Sequence, residues 1–327
     1  MSLGINTTTP EGIVLAADSR QSYRNQKGMS RIGSDSASKV FKIGERVGLI
    51  VAGLAFLPEN GVLKNISRFI EEFKTSLEAD LKTENLTVNE ISQKLKDFFE
   101  EKYKFKEQLD KLPDQIKADL ERQGCEIIEV KKEKNRVVFK FKDPNGLQKE
   151  GVVGVDQLQF IVAGFNKDNS HEVCMIYIPG NVEVKRDSKE KGKEYGAGWI
   201  GQTDVVSRIV LGFDGRIGNL PLFQKIASEI GPNEAQKQLR SLEYMIQWGT
   251  MTLQDGIDFS LLAIETTTAI QRFSDGIAGD PGDMPGVGGP IDVAVITADK
   301  GFVWINKKKL SVGKTEIDID KEPDFKK

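Results

Sequence analysis

The sequence predicts an α+β fold in which helices pack outside stacked antiparallel sheets. Two observations carry this: the pattern runs strands, two helices, strands, two helices, strands, and neighbouring strands are joined by short polar turns rather than by crossover helices. The 327 residues are 39% hydrophobic and 29% charged, the mix of a globular chain with enough apolar material for a sizeable core. One domain spanning residues 1–327 accommodates the pattern, interrupted by insertions at about 104–156 and 213–249 and followed by a polar tail from 306.

The elements follow in order. GINTTT, the turn Pro10-Glu11-Gly12 and IVLAAD read as a hairpin, and SKVFKIG with VGLIVAG as a second pair around Gly44 to Arg46. A first helix is expected from about Asn65 to Leu81, with Ile66, Phe69, Ile70, Phe73 and Leu77 at helical spacing. Thr87 and Glu90 form a capping box before a second helix carrying Ile91, Leu95, Phe98 and Phe99. From Lys104 to Asp156 a charged helix and alternating strands replace the earlier pattern. The core resumes with LQFIVAGF and EVCMIYIPG, joined by NKDNSH. Helices are expected after Thr203 and after Thr252, where Asp255 completes another capping box. PIDVAVITADKGFVWI makes the last hairpin.

Composition excludes several function classes. Lys plus Arg number 46 and Asp plus Glu 49, for a net charge of −3, so nothing suggests nucleic acid as a partner. The longest apolar stretch, VGLIVAGLAFLP from Val47, is far shorter than the ~20 residues that cross a bilayer, and no signal-peptide pattern precedes it. The expectation is a cytoplasmic protein with no membrane partner. Two separated cysteines and one histidine support neither a disulfide framework nor a metal site; Cys174 reads as core and His171 as a solvated turn residue. GAGWIG, Gly196 to Gly201, fits a dinucleotide pattern, but the charged residues before it cannot form the buried parallel strand such a turn needs. The loop GDPGDMPGVGGP has no Lys after it and is not a phosphate loop. No cofactor is expected.

GIVLAADSR, then SKV, then a strand ending in Ala52-Gly53 before a helix, and finally GGPIDVAVIT resemble the proteasome β-type family of N-terminal nucleophile hydrolases. The resemblance covers residues 1 to about 100 and 156 to 305. It implies a four-layer αββα sandwich of two stacked antiparallel sheets flanked by helices, and hydrolysis of peptide or amide bonds. In the family a mature N-terminal Thr or Ser attacks through its hydroxyl while its own α-amine acts as base. By resemblance Asp18 and Lys39 support that amine, Gly53 supplies the oxyanion N–H, and Asp283 corresponds to a late family aspartate.

The nucleophile depends on register. Counting back from Gly12 and Asp18 reaches Ser2, which loss of Met1 would expose, and leaves Thr7, Thr8 and Thr9 too late in the strand to act. A second register, set on Gly4-Ile5-Asn6, pushes the nucleophile off the start of the chain. Residues 1–3 read either as the native start or as a replacement of it. The family's Gly-Ser-Gly after the middle hairpin is Gly201-Gln202-Thr203 here, and the serine expected after Asp283 is absent. An inactive ring-forming scaffold of the same fold and a small-molecule amidase therefore stand beside a peptidase acting on peptides or proteins. A homo-oligomeric ring is expected from the helices bearing Phe69, Phe73, Leu77, Leu95, Phe98 and Phe99, whose apolar residues occupy more than one face.

Overall fold

The computed structural model describes residues 2–24, 29–79, 86–278, 280–281, 285–312 and 315–317. It is a mixed α+β structure. Among these residues are seven α-helices: α1 (Ile66–Ala79), α2 (Val88–Tyr103), α3 (Phe105–Arg122), α4 (Asp204–Leu211), α5 (Pro221–Ile230), α6 (Pro232–Leu239) and α7 (Leu253–Phe273). Two antiparallel sheets of five strands dominate. The first has the order Gly196–Gly201, Leu3–Thr9, Gly12–Ala17, Asp292–Thr297, Gly301–Asn306; the second has Val182–Asp187, His171–Ile178, Leu158–Phe165, Val47–Gly53, Val40–Lys42.

Alternation along the strands sends side chains into separate cores. Ile13, Leu15, Ala294 and Ile296 from the first sheet meet Ile50, Ile161, Ala163 and Met175 from the second. The opposite residues of the second sheet, including Leu49, Val51, Phe160 and Val162, pack against α1 and α2. Those of the first sheet, including Leu3, Ile5, Val14 and Ala16, pack against α4 and α7. Both central hairpin strands are therefore buried along their whole length, which is why GIVLAA reads as continuously apolar.

Both capping boxes form. Thr87 and Glu90 exchange hydrogen bonds at the start of α2, and Thr252 and Asp255 do so at the start of α7. The hairpins at Pro10-Glu11, at Gly44 to Arg46, at NKDNSH and at Ala298 to Lys300 are antiparallel pairs. The 104–156 segment builds its own small core, in which Leu109, Ile116 and Leu120 of α3 cover Val137 on a sheet of Glu126–Lys132, Arg136–Lys142 and Gln148–Gly154. The 213–249 segment does not: α5 buries none of its residues. Among the described residues no helix is long and apolar enough to cross a membrane.

Two expectations require correction. The apolar residues of α1 and α2 leave no exposed patch: Phe69, Phe73, Leu77, Leu95 and Phe99 are buried and Phe98 packs against them. The rings of Phe69 and Phe99 lie 6.4 Å apart and those of Phe73 and Phe98 5.6 Å, so the two helices consume each other's second apolar face. His171 is not solvated. It is 7% exposed and begins a strand, its Nε2 lies 2.7 Å from the Glu194 carbonyl, and its ring sits between Phe165 and Tyr195. Register placed it at the end of NKDNSH, but the chain from Ser188 to Tyr195 folds back over it. Cys174 is core, and burial pushes its thiol up to about 11.

Candidate active site

Asp18 directly follows the Gly12–Ala17 strand and is almost fully buried. A lone carboxylate there would be expensive, and the chain surrounds it with donors. Its Oδ1 accepts the Leu3 N–H at 2.9 Å and the Lys39 ammonium at 2.7 Å; its Oδ2 accepts the N–H groups of Arg20 and Gly288, each at 3.0 Å. The side chains of Lys39 and Asp18 are 6% and 0% exposed, so this is a buried ion pair. Lys39 also donates to the Arg20 carbonyl at 2.5 Å. Burial holds the Lys39 ammonium below the ordinary lysine value of 10.5, and the attraction of Asp18 opposes that fall.

The pair lies at the start of the first strand. Ser2 precedes Leu3, and its carbonyl accepts the Gln202 N–H at 2.7 Å. Gly201, beside it, has φ +89°, and a Cβ there would fall 1.9 Å from the Ser2 carbonyl oxygen, so only glycine lets the two chains approach this closely. Gly53 ends the Val47–Gly53 strand with φ +96°, where a Cβ would fall 2.1 Å from the Gln157 carbonyl oxygen. Ser2, Lys39 and Gly53 together line a cleft with a cavity of about 40 Å³, whose other walls include Gln21, Ala37, Ala55, Asn65 and Ser67. At its flank Arg20 grips Asp35 with two hydrogen bonds of 2.7 and 3.1 Å and so holds Asp35 below the usual carboxylate range.

Of the five sequence-derived candidates, Ser2, Asp18, Lys39 and Gly53 converge here. Asp283 lies outside the described residues. The threonines lie elsewhere: Thr7, Thr8 and Thr9 are five to seven residues along the strand, about 16 to 23 Å from Ser2. Thr7 Oγ1 is 2.9 Å from Ser260 Oγ on α7, Thr8 bonds Asn6, and Thr9 donates to the Gly12 carbonyl while accepting the Glu11 N–H. Gly196–Gly201, the stretch with the dinucleotide pattern, is a strand paired with Leu3–Thr9. Among the described residues no group of three or more His, Cys, Asp or Glu side chains is placed to hold a metal.

Sequence reasoning missed the backbone donors of Arg20 and Gly288 to Asp18. Ser-Arg after Asp18 is a local signal for the first, because Asp commonly accepts the N–H two residues on. Gly288 is 270 residues away and leaves no local trace. Comparison with family models and with curated proteins finds no match to this chain.

Proposed function

We propose that the chain is a proteasome β-like N-terminal nucleophile hydrolase, a four-layer αββα sandwich that cleaves peptide or amide bonds with Ser2 after loss of Met1. The observation that carries this reading is the buried Asp18–Lys39 pair, whose carboxylate also holds the N–H of the residue next to Ser2. A buried ion pair is weak evidence for stability, since its desolvation offsets much of its attraction. A pair of this kind, whose lysine lines a cleft beside a hydroxyl, has a chemical use.

The steps follow from the groups present. The α-amine of Ser2, with an ordinary pKa of about 8, accepts the Oγ proton as Oγ attacks the substrate carbonyl. The Lys39 ammonium beside it disfavours a second positive charge and keeps the amine unprotonated, while Asp18 anchors Lys39. The oxyanion of the tetrahedral intermediate takes the Gly53 N–H. Collapse breaks the C–N bond, the Ser2 α-ammonium gives the proton it took up to the leaving amine, and an ester remains on Ser2. Water, deprotonated by the same α-amine, then adds to the ester carbonyl; collapse breaks the C–Oγ bond, the α-ammonium returns its proton to Oγ, and the acid is released. No cofactor or metal takes part.

Gln202 stands where the resembled family has a serine, which favours a non-catalytic scaffold of the same fold as the second reading. In either case assembly is part of the proposal, with a different surface from the one expected. Leu222, Tyr244 and Met245 of the 213–249 segment are exposed, Met245 to 88%, and would be covered in a homo-oligomeric ring. A panel of fluorogenic peptides separates the readings: hydrolysis by the parent and none by Ser2→Ala supports the hydrolase, whereas a folded parent inactive on the whole panel supports the scaffold.

A further inference from the structure

Gln271 lies in the last turn of α7, and both ends of its amide are engaged. Its Oε1 accepts the N–H groups of Gly286 and Val287, both at 2.9 Å, and its Nε2 donates to Gln202 Oε1 at 3.0 Å. Two N–H donors at one end fix the orientation of the amide. What lies beyond each end belongs to the candidate site. Gly288, next after Val287, donates to Asp18 Oδ2 and accepts the Ser19 N–H, each at 3.0 Å. Gln202 donates its backbone N–H to the Ser2 carbonyl at 2.7 Å. One neutral side chain thus joins the loop that caps Asp18 to the turn that holds Ser2, two segments that do not pair with each other in either sheet.

We propose that Gln271 is a positioning residue that, through Gln202 and the Gly286–Gly288 loop, fixes Ser2 against Asp18 and keeps the surroundings of the Ser2 α-amine free of added charge. The proposal rests on the reading of Ser2 as an N-terminal nucleophile. An amide is suited to the place because it accepts at one end and donates at the other without a formal charge. Leucine would fill a similar volume and serve neither end. Glutamate would keep the two N–H bonds and could take a bond from a flipped Gln202 amide, but would bring a negative charge to a site whose base must stay unprotonated.

The test uses the parent, Gln271→Leu and Gln271→Glu, each shown to be folded by near-UV circular dichroism. Two readouts are taken: the pH profile of kcat/KM on the best fluorogenic peptide, and the titration of the N-terminal α-amine followed by its pH-dependent acylation with acetic anhydride and peptide mass analysis. Expected for Gln271→Leu is a fall in kcat of about tenfold or more with KM little changed, since the nucleophile is mispositioned while the cleft walls are intact. Expected for Gln271→Glu is recovery of much of kcat at high pH, with the acid limb and the amine titration both moved up by about half a pH unit or more. Variants that match the parent in kcat, acid limb and amine titration would overturn the proposal. The amine titration needs no turnover: if the parent proves inactive, the hydrolase reading fails, and an unmoved amine titration in Gln271→Glu separately refutes the role of Gln271.

Discussion

The two ends of the first strand carry the same functional group in opposite surroundings. At its start, the hydroxyl-bearing Ser2 shares a cleft with Lys39 and Gly53, and the next N–H is held by Asp18. At its end, three threonines are buried, but their hydroxyls meet only the neutral partners Ser260, Asn6 and the Gly12 and Glu11 backbone. A hydroxyl is a weak nucleophile wherever it stands; what separates the two ends is the charge placed within reach. On the proposed reading, abundance of threonine is therefore no guide to the site, and the ion pair is.

The strongest way to break this contrast is to remove its charged centre. Asp18→Ala strips Lys39 of its partner and leaves the N–H groups of Leu3, Arg20 and Gly288 without their acceptor, so a loss of about 3–5 kcal/mol is expected in denaturant unfolding, together with loss of any hydrolysis. An unfolding midpoint close to the parent's would show that the carboxylate does not organise this end of the strand. Lys39→Ala is milder on stability, because Asp18 keeps three backbone donors, yet should lower kcat/KM by about 10²–10⁴-fold through loss of the charge that holds the base neutral. Equal stability losses for the two variants would contradict the division of labour between them.

The opposite end sharpens the comparison. Thr7→Val removes the bond to Ser260, whose hydroxyl still donates to the Gly256 carbonyl, so about 0.5–1.5 kcal/mol should be lost while peptide hydrolysis stays within a few-fold of the parent. Thr8→Val and Thr9→Val should behave alike. Abolished hydrolysis in a folded Thr7→Val chain would move the nucleophile to the wrong end.

The smallest effect is a pH dependence. Burial lowers the Lys39 pKa below the value of 10.5 it has when unfolded, so between the two values the unfolded chain binds more protons than the folded one. Stability contributed at this residue must then rise as pH increases through that window, the reverse of an exposed lysine that gains a partner. The difference in unfolding free energy between the parent and Lys39→Met, followed upward towards pH 10.5, should grow in the parent's favour. A falling difference would mean that attraction to Asp18 outweighs desolvation.

How much of this was legible in the sequence follows the range of each interaction. The hairpins and both capping boxes rest on residues a few positions apart, and they were readable as written. Asp18, Lys39 and Gly53 stand out only through the resemblance to the proteasome β-type family; alone, Asp18 reads as a turn former and Lys39 as a solvated strand end. Gln271 reads only as one polar residue in TTTAIQRF, and its role exists because the 286–288 loop and the Gly201-Gln202 turn arrive from elsewhere in the chain. The apolar residues of α1 and α2 are legible in the sequence, but helical periodicity shows how wide a face is and not which neighbour covers it, and here each helix covers the other. His171 failed for the same reason, its cover coming from Glu194 and Tyr195.

The central claim is that the hydroxyl at the start of the first strand, and not those at its end, is the nucleophile. Incubation of the parent with a peptide β-lactone, followed by proteolysis and mass analysis, tests it directly, because ring opening leaves the whole reagent mass on the residue that attacked. One adduct on Ser2, lost in Ser2→Ala and in Lys39→Ala and retained in Thr7→Val, is the predicted result. An adduct on Thr7, Thr8 or Thr9, or a folded chain that takes up no reagent, would contradict it.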